Sequence, residues 1–315
     1  MTSYESVKKS ESKFIGLTGY TVEEFEALLP NFTVQFMAYV AKYTLEGKPR
    51  KKRSYSEYTN SPLPGMANKL LFILIYLKTN NLQEVQAELF GMYQSEACQW
   101  IHCLLPVVNQ ALNDCGQLPA RSMDGLALDE QTGTIFFHDG TERPIQRPKD
   151  NETQRSHYSG KKKRHTVKND VIGGQDSRIL FLTETVEGKK HDKKLADEAD
   201  YTLPDGSTLY QDTGFQGFDL ENVTILQPKK KPRNAELSEW DKVLNRALSS
   251  VRIRIEHIIS GVKRYRIVKD KIRNFKAGFR DLVMETCCGL HNFRLTFRPW
   301  HYSQPPLFQF MIKSL

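Results

Sequence analysis

The chain has 315 residues, of which 39% are hydrophobic and 10% aromatic, and a formal charge of +8 from 45 basic and 37 acidic side chains. This length and composition exclude a disordered chain and allow two folded domains, or one large domain with an accessory module. No apolar run approaches the ~20 residues of a membrane-spanning helix, no signal-peptide segment is evident, and the five cysteines match no zinc framework, so we expect a cytoplasmic protein with reduced thiols.

The N-terminal part of the chain is predicted to be helical. Thr21 followed by Glu24 is a capping-box pattern, and apolar residues then recur at helical spacing to about Leu45. The segment 48–64 begins with basic residues, continues with Ser, Tyr and Pro, and is typical of a linker or loop.

Three further helices are predicted before residue 116. They cover residues 68–79, 82–91 and 95–112, with Ser95 as the N-cap of the third. Gly91 stands in the short connection between the second and third, four residues after a small residue, as in a helix-turn-helix. DNA binding and a plain helical bundle both fit this pattern.

After residue 116 the sequence becomes rich in short β-type segments bounded by Gly, Asp or Pro. The predicted strands are residues 133–140, 164–174, 177–185, 207–214 and 221–228. A helix at 190–200 lies between the third and fourth strands, and a long helix from about 236 to 269 follows the fifth. We therefore expect an α/β fold, a mixed sheet with helices packed against it.

Two of the predicted strands end in an aspartate that is followed by glycine within two residues. Asp139 follows the apolar run IFFH, and Asp212 follows LYQ. A carboxylate at the end of an apolar strand lies at the carboxyl edge of the sheet, where α/β proteins build their sites. The alternative is that each aspartate only opens a turn.

The long helix carries a single acid among bases in residues 249–266. Its apolar stripe consists of Val251, Ile255, Ile258 and Val262. Arg252, Glu256 and Lys263 share a separate face, at 100° per residue. Glu256 is either a surface partner of Arg252 or a catalytic carboxylate flanked by phosphate-binding cations. Three carboxylates without a general-base histidine pattern fit hard divalent ions, two of which catalyse phosphoryl transfer.

These segments together resemble a DDE transposase of bacterial insertion sequences, in the group typified by insertion sequence five, from about residue 60 to 298. The similar segments are HDGTERPIQRP (138–148), YSGKKKRHTVKNDVI (158–172), QDTGFQG (211–217), RIRIEHIISGVK (252–263) and CCGLHNFR (287–294). One departure is Ser249, where the related signature often has Tyr.

The resemblance implies an RNase H-like catalytic domain in which Asp139, Asp212 and Glu256 hold two Mg²⁺ ions, with Mn²⁺ able to substitute. It implies cleavage at the terminal inverted repeats and strand transfer into target DNA. It also implies an N-terminal helix-turn-helix that helps to recognise those repeats, and phosphate binding by Arg252 and Lys263.

Several other basic residues are candidates for DNA contact. Arg143 and Arg147 follow Asp139 closely and are predicted to contact phosphate. Lys162 and Lys163 belong to the basic run 161–164, which forms either a hairpin that meets the DNA backbone or a solvated turn. His191 and Asp192 lie between the third strand and the next helix and are candidates for indirect support of the site.

The expected organisation has four parts. These are an N-terminal helical segment and basic linker (1–60), a helix-turn-helix domain (61–118), an RNase H-like DDE catalytic domain (119–298) and a C-terminal tail (299–315). The expected partner is double-stranded DNA, both terminal repeats and target, bound by a homodimer or larger oligomer in the bacterial cytoplasm at the nucleoid. The alternatives are a domesticated, non-cleaving DNA-binding regulator and another RNase H-like nuclease, such as a junction resolvase.

Overall fold

The computed structural model describes residues 1–51, 54–122, 134–199 and 201–301. These residues form two compact units. Of the described residues, the helical unit contains those of 1–118, 143–148 and 261–297, and the sheet unit contains those of 119–142, 149–260 and 298–301. Residue 133 of the first predicted strand, residue 200 of the helix before the fourth, residues 52 and 53 of the basic linker and most of the predicted tail lie outside the described residues.

In the helical unit, the predicted capping box lies at the start of helix α3 (Val22–Lys42). The Thr21 hydroxyl accepts the backbone N–H of Glu24 at 3.1 Å, and the Glu24 carboxylate accepts the backbone N–H of Thr21 at 2.8 Å, which confirms the predicted capping box. The first helices are α1 (Tyr4–Val7), α2 (Glu11–Thr18), α3 (Val22–Lys42), α4 (Gly65–Thr79), α5 (Gln83–Phe90) and α6 (Gln94–Asp114). Two later helices belong to the same unit, α10 (Arg266–Lys269) and α11 (Phe279–Phe297).

The predicted trio of helices up to residue 116 is present as α4, α5 and α6. Gly91 ends α5 in the left-handed region at φ +66°, a conformation that glycine adopts without steric cost, and so forms the tight turn. The third helix begins at Gln94, and Ser95 is not its N-cap. The reason is that the Glu96 carboxylate accepts the Tyr93 backbone N–H at 2.8 Å, which makes Tyr93 the N-cap, two residues before Ser95.

The sheet unit is built on a mixed sheet, as predicted. Its strands are β1 (Ile135–Pro144), β2 (Tyr158–Ser159), β3 (Arg164–Gly173), β4 (Ile179–Leu182), β5 (Val186–Glu187), β6 (Thr208–Tyr210) and β7 (Thr224–Leu226). In the described part of the chain they run in the order β2-β3-β1-β6-β7, with β4 and β5 also paired to β3. The strands β1, β6 and β7 are parallel, whereas β3 is antiparallel to β2, β4 and β5.

Helices cover the sheet and bury two apolar surfaces. On one face, Phe136, Ile172 and Leu209 pack with Phe215 and with α8 (Asp192–Glu198). The helices α7 (Asn151–His157) and α9 (Glu239–Lys263) complete the elements around the sheet. The predicted apolar stripe of α9 is buried, with Val251, Ile255, Ile258 and Val262 each 6% exposed or less.

Gly173 allows α9 to approach β3 closely. A Cβ atom built on Gly173 would lie 2.7 Å from Cδ1 of Ile258 and 3.4 Å from Cδ1 of Ile255. The two isoleucines therefore occupy the space that any larger residue would need. Among the described helices, none is both long enough and apolar enough to span a bilayer.

We expect Gly173→Ala to destabilise the protein by about 1–3 kcal/mol, because the added methyl group overlaps Ile258. Ile258→Val removes the Cδ1 atom in question, so the double variant should lose less stability than the sum of the single variants. The measurement is urea unfolding followed by circular dichroism. Gly16→Ala is the control, since nothing lies within 4 Å of its Cβ position and α2 should gain stability. Additive losses would contradict the contact.

Candidate active site

Asp139 and Asp212 lie at the same level on neighbouring parallel strands. The register of β1 with β6 pairs Phe137 with Tyr210, and each aspartate follows two residues later. Neighbouring strands are about 4.8 Å apart, so the two segments that carry the acids are adjacent. Because side chains alternate along a strand, both carboxylates belong to the face of Phe137, whose ring lies 5.7 Å from the Arg254 guanidinium of α9.

Asp139 lies inside its strand, not at the end. β1 continues to Pro144, and the alternation of burial continues with it, since Thr141 and Arg143 are both buried. The prediction that this strand ends at Asp139 is therefore wrong, and Asp-Gly opens no turn here. At Asp212 the chain does turn, because Asp212 is the N-cap of a 3₁₀ turn, Thr213–Phe215.

The environment of Asp139 disfavours its negative charge. The pKa of Asp139 is raised to about 6, chiefly by burial and to a smaller extent by the nearby negative charge of Asp212. The Gly140 N–H, which Oδ1 of Asp139 accepts at 2.8 Å, and the positive charge of Arg252 act in the opposite direction. In the absence of a cation, this site holds an acid that ionises reluctantly.

Glu256 is held by an ion pair within α9. Its Oε1 lies 3.0 Å from Nη2 of Arg252, one turn earlier, and its side chain is 51% exposed against 21% for that of Arg252. Arg252 thus carries the positive charge that acts on Asp139 and also neutralises Glu256. The ion pair that the sequence offered as one alternative is present. In the described part of the chain, no three His, Cys, Asp or Glu side chains are close enough together to hold a metal ion.

The donor atoms at Asp139 and Asp212 nevertheless fit a hard divalent cation. Oδ1 of Asp139 accepts the N–H of Gly140, and Oδ1 of Asp212 accepts the N–H of Thr213, each at 2.8 Å. Within the described residues, Oδ2 of each aspartate accepts no hydrogen bond and can bind a ligand. Carboxylate oxygens are the ligands that Mg²⁺ and Mn²⁺ prefer. A bound cation would also remove the cost of ionising Asp139.

The other predicted site residues occupy different environments. Arg143 is fully buried and donates from Nη1 to the carbonyl oxygen of Arg280 at 2.7 Å, and burial lowers its pKa to about 10. Phosphate cannot reach it in this arrangement, so the prediction that Arg143 binds phosphate does not fit its position. Arg147 is exposed, and Lys263 is half-buried at the end of α9.

The basic run 161–164 forms the turn between β2 and β3. All four of its cationic side chains are exposed, and in the described part of the chain none of them forms an ion pair with an acid. Lys163 adopts the left-handed conformation at φ +53°, which is uncommon for a residue with a side chain. The segment is thus the turn of an antiparallel hairpin formed by β2 and β3. Its contact with DNA stays a prediction.

Sequence reasoning missed a buried polar pair directly before the two aspartates. His138 precedes Asp139 and Gln211 precedes Asp212, and the Gln211 amide donates to Nδ1 of His138 at 2.8 Å. The Tyr201 hydroxyl lies 3.1 Å from the same nitrogen. Because Nδ1 accepts, the ring proton belongs on Nε2. The alternation of side chains in IFFHDG already placed His138 opposite to Asp139, but not its partners.

Comparison with known families agrees with this geometry. Residues 138–292 match the family described as DDE superfamily endonuclease, and residues 61–114 match the helix-turn-helix of DDE superfamily endonuclease. The chain carries a DDE superfamily endonuclease domain. Its first matched residue precedes Asp139, and the matched range includes Asp212 and Glu256. The predicted helix-turn-helix is confirmed over the plain helical bundle.

Two curated proteins that are similar to this chain carry transposase names. One is named as a transposase for insertion sequence element IS702 of Microchaete diplosiphon, 29% identical over 66% of this chain and 73% of the relative. The other is named as a transposase for insertion sequence element IS112 of Streptomyces albus G, and it is 25% identical over 79% of this chain and 86% of the relative. These comparisons support a transposase-type endonuclease. Membership of the group typified by insertion sequence five stays a prediction, and no solved structure matches significantly.

We expect Asp139→Asn to stabilise the metal-free DDE protein at neutral pH by about 1–3 kcal/mol. The pKa of Asp139 is about 6 in the folded protein and about 3.9 in an unfolded chain, so its ionisation opposes folding. The cost is absent below pH ~4, grows as the pH rises towards 6, and is complete above it. The gain should therefore disappear at pH 4.

The measurement is chemical unfolding in EDTA at several pH values between 4 and 8. Asp219→Asn changes an exposed aspartate of the same unit and serves as the control, for which we expect little change. A loss of stability in Asp139→Asn at pH 7.5 would contradict the electrostatic description of the site.

Proposed function

We propose that the protein is a DNA transposase that cleaves DNA at the terminal inverted repeats of its element and transfers the freed strand to target DNA. The observation that carries this proposal is the placement of Asp139 and Asp212 at one level of adjacent parallel strands. The α9 helix brings Arg252 to the same face, with Glu256 as its partner. The helix-turn-helix match and the transposase-named relatives support a DNA substrate.

The proposed chemistry consists of two in-line displacements at phosphorus. In the first, the oxygen of water bonds to phosphorus and the 3′-oxygen of the element leaves with a proton. In the second, that 3′-hydroxyl bonds to a target phosphorus and displaces a target 3′-oxygen. Divalent cations, Mg²⁺ or Mn²⁺, would supply activation of the attacking oxygen and charge stabilisation of the leaving oxygen.

The residues of this chain have separate roles in that reaction. Asp139, Asp212 and Glu256 are the proposed ligands of the two ions. Arg252 pairs with Glu256, and its positive charge acts to lower the pKa of Asp139, so it favours the ionised form of Asp139 before metal and DNA arrive. Once Glu256 binds metal, Arg252 becomes available for a phosphate oxygen, the role proposed from the sequence for Arg252 and Lys263.

The DNA contact surface is proposed to include the hairpin tip 161–164. Lys162 and Lys163 are exposed there and have no acidic partner in the described part of the chain, so their charge is available to the DNA backbone. Arg147 is a further exposed candidate for DNA contact. A homodimer or larger oligomer that pairs two element ends, and a place in the bacterial cytoplasm at the nucleoid, remain part of the proposal.

One observation favours the second candidate, a domesticated DNA-binding protein that does not cut. Glu256 is half exposed and paired with Arg252, and the described residues contain no ready group of three metal ligands. Under this alternative Glu256 is a surface residue that stabilises α9, and the protein binds DNA through its helix-turn-helix alone. The two candidates differ in cleavage, which decides between them.

We expect Asp139→Asn, Asp212→Asn and Glu256→Gln each to retain binding to terminal-repeat DNA and to lower Mg²⁺-dependent cleavage by at least ~100-fold. Loss of one ligand removes several kcal/mol of transition-state stabilisation. The measurement uses labelled DNA with the flanking repeats, incubated with Mg²⁺, Mn²⁺ or EDTA. Asp219→Asn, an exposed acid near Asp212, is the matched control and should cut normally.

The outcomes separate the alternatives. Normal cutting by Glu256→Gln would remove that residue from the set of metal ligands. Binding without any cutting by the wild type in either metal would favour the domesticated regulator. Cutting of branched DNA that lacks the repeats would favour a structure-selective nuclease.

We expect the double variant Lys162→Gln/Lys163→Gln to reduce the salt dependence of DNA binding. If each lysine contacts one phosphate, the slope of log K against log salt concentration should become less steep by about 1.8. The measurement is fluorescence anisotropy at salt concentrations from about 50 to 300 mM, where phosphate contacts make DNA affinity depend strongly on salt. The control pair, Lys193→Gln/Lys194→Gln, removes lysines that lie near Asp197 and Glu198. Equal slopes for wild type and hairpin variant would exclude the hairpin contact.

A further inference from the structure

A second polar cluster lies on the other side of the sheet from Asp139 and Asp212 and has no part in the proposed reaction. It belongs to the face of the sheet opposite to α9, where His138 is buried. Its central contact joins Lys168 of β3 to Asp192 at the start of α8, with Nζ 2.6 Å from Oδ1 of Asp192. Nζ of Lys168 also donates to the carbonyl oxygen of Lys190 at 2.9 Å. Since the Lys168 side chain is only 7% exposed, this ion pair is held in place.

The Asp192 carboxylate contacts the chain beside both catalytic candidates. A Cβ atom built on Gly140 would lie 3.1 Å from Oδ1 of Asp192, and one built on Gly214 would lie 3.0 Å from Oδ2. Gly140 directly follows Asp139, and Gly214 is two residues beyond Asp212. A single carboxylate therefore directs one oxygen to each of the segments that carry the proposed metal ligands. A Cβ atom at either position would fit only if the Asp192 side chain shifted by a few tenths of an ångström.

Neighbouring groups hold the same two segments from behind. Asp170 is 1% exposed, and its Oδ1 lies 3.0 Å from the Cβ position of Gly140. Its Oδ2 lies 3.7 Å from Nε2 of His138, whose other nitrogen accepts from Gln211. The cluster thus combines the Lys168–Asp192 ion pair with a buried acid, Asp170, which lies beside the residue that precedes Asp139.

The helix α8 also has apolar contacts with the sheet unit that lie outside this cluster. Leu195 and Ala196 of α8 are buried in the apolar core together with Phe215, which ends the 3₁₀ turn after Asp212. These apolar contacts hold the helix against the sheet. The Asp192 carboxylate lies between Gly140 and Gly214, where it can restrain the backbone of both segments.

We propose that Asp192 is a positioning residue that sets the spacing of Asp139 and Asp212 for divalent-ion binding. Lys168 fixes the carboxylate, and the carboxylate fixes the backbone at Gly140 and Gly214. Two carboxylates that share metal ions need a spacing held to within about 0.5 Å. Groups that orient metal ligands change metal affinity when they are replaced. This inference rests on the proposed function, since it assumes that the two aspartates bind metal.

The test measures Mn²⁺ affinity of the full chain by electron paramagnetic resonance, beside thermal unfolding in EDTA. We expect Asp192→Asn to weaken Mn²⁺ binding about 10–100-fold while the protein stays folded. Lys194→Gln, two residues further along α8 and exposed, is the matched control and should bind Mn²⁺ normally. A purely structural role would lower the unfolding temperature and leave the Mn²⁺ affinity of the folded protein unchanged.

A double-variant comparison isolates the contact. The three atoms nearest to the Gly214 Cβ position all belong to Asp192, so Gly214→Ala should weaken Mn²⁺ binding by displacing that side chain. In an Asp192→Ala background the same substitution meets no carboxylate and should have no further effect. Independent, additive effects would overturn the proposal.

The failure of this inference differs from failure of the proposed function. If the wild type binds Mn²⁺ and cuts DNA, but Asp192→Asn binds Mn²⁺ within twofold of it, the positioning role is excluded and the transposase proposal stands. If the wild type neither binds Mn²⁺ nor cuts, both proposals are overturned.

Discussion

The site depends on the parallel pairing of β1 with β6. Hydrogen bonds between these two strands set Phe137 beside Tyr210, and Asp139 and Asp212 each follow two residues later. Both strands are buried, so a slip of one residue would move Asp139 to the opposite face and expose its apolar neighbours. The arrangement of the acids is therefore as stable as the sheet core itself, which a loop-based site would not be.

Arg252 connects the electrostatics of the site to its packing. The helix that carries it is held against β3 by buried isoleucines, and its guanidinium is paired with Glu256 of the same helix. Burial and the charge of Asp212 raise the pKa of Asp139, and the positive charge of Arg252 offsets part of that increase. Buried like charges without such a neighbour would shift towards their neutral forms, which bind cations poorly.

Periodicity and capping patterns predicted most of the fold, because these signals are local. The Thr21–Glu24 cap, the three helices of residues 68–112 and the buried stripe of α9 were all visible in the spacing of residue types. The candidate acids followed from their position after apolar strands. What the sequence could not reveal depends on distant partners. Arg143 is buried because the carbonyl oxygen of Arg280 accepts from it, 137 residues away in the chain. The polar cluster at Asp192 likewise joins segments that only the tertiary fold brings together.

The extension of β1 beyond Asp139 has a consequence for how this chain can change over evolutionary time. Residues 139–144 are strand, with alternate side chains in the core, whereas Asp212 is followed at once by a turn. Deletion or duplication of one codon after Asp139 would reverse the facing of Thr141 and Arg143, while a similar change beyond residue 215 would alter only a connection. Among descendants of this sequence, insertions and deletions should accumulate beyond residue 215 and should be selected against in residues 139–144.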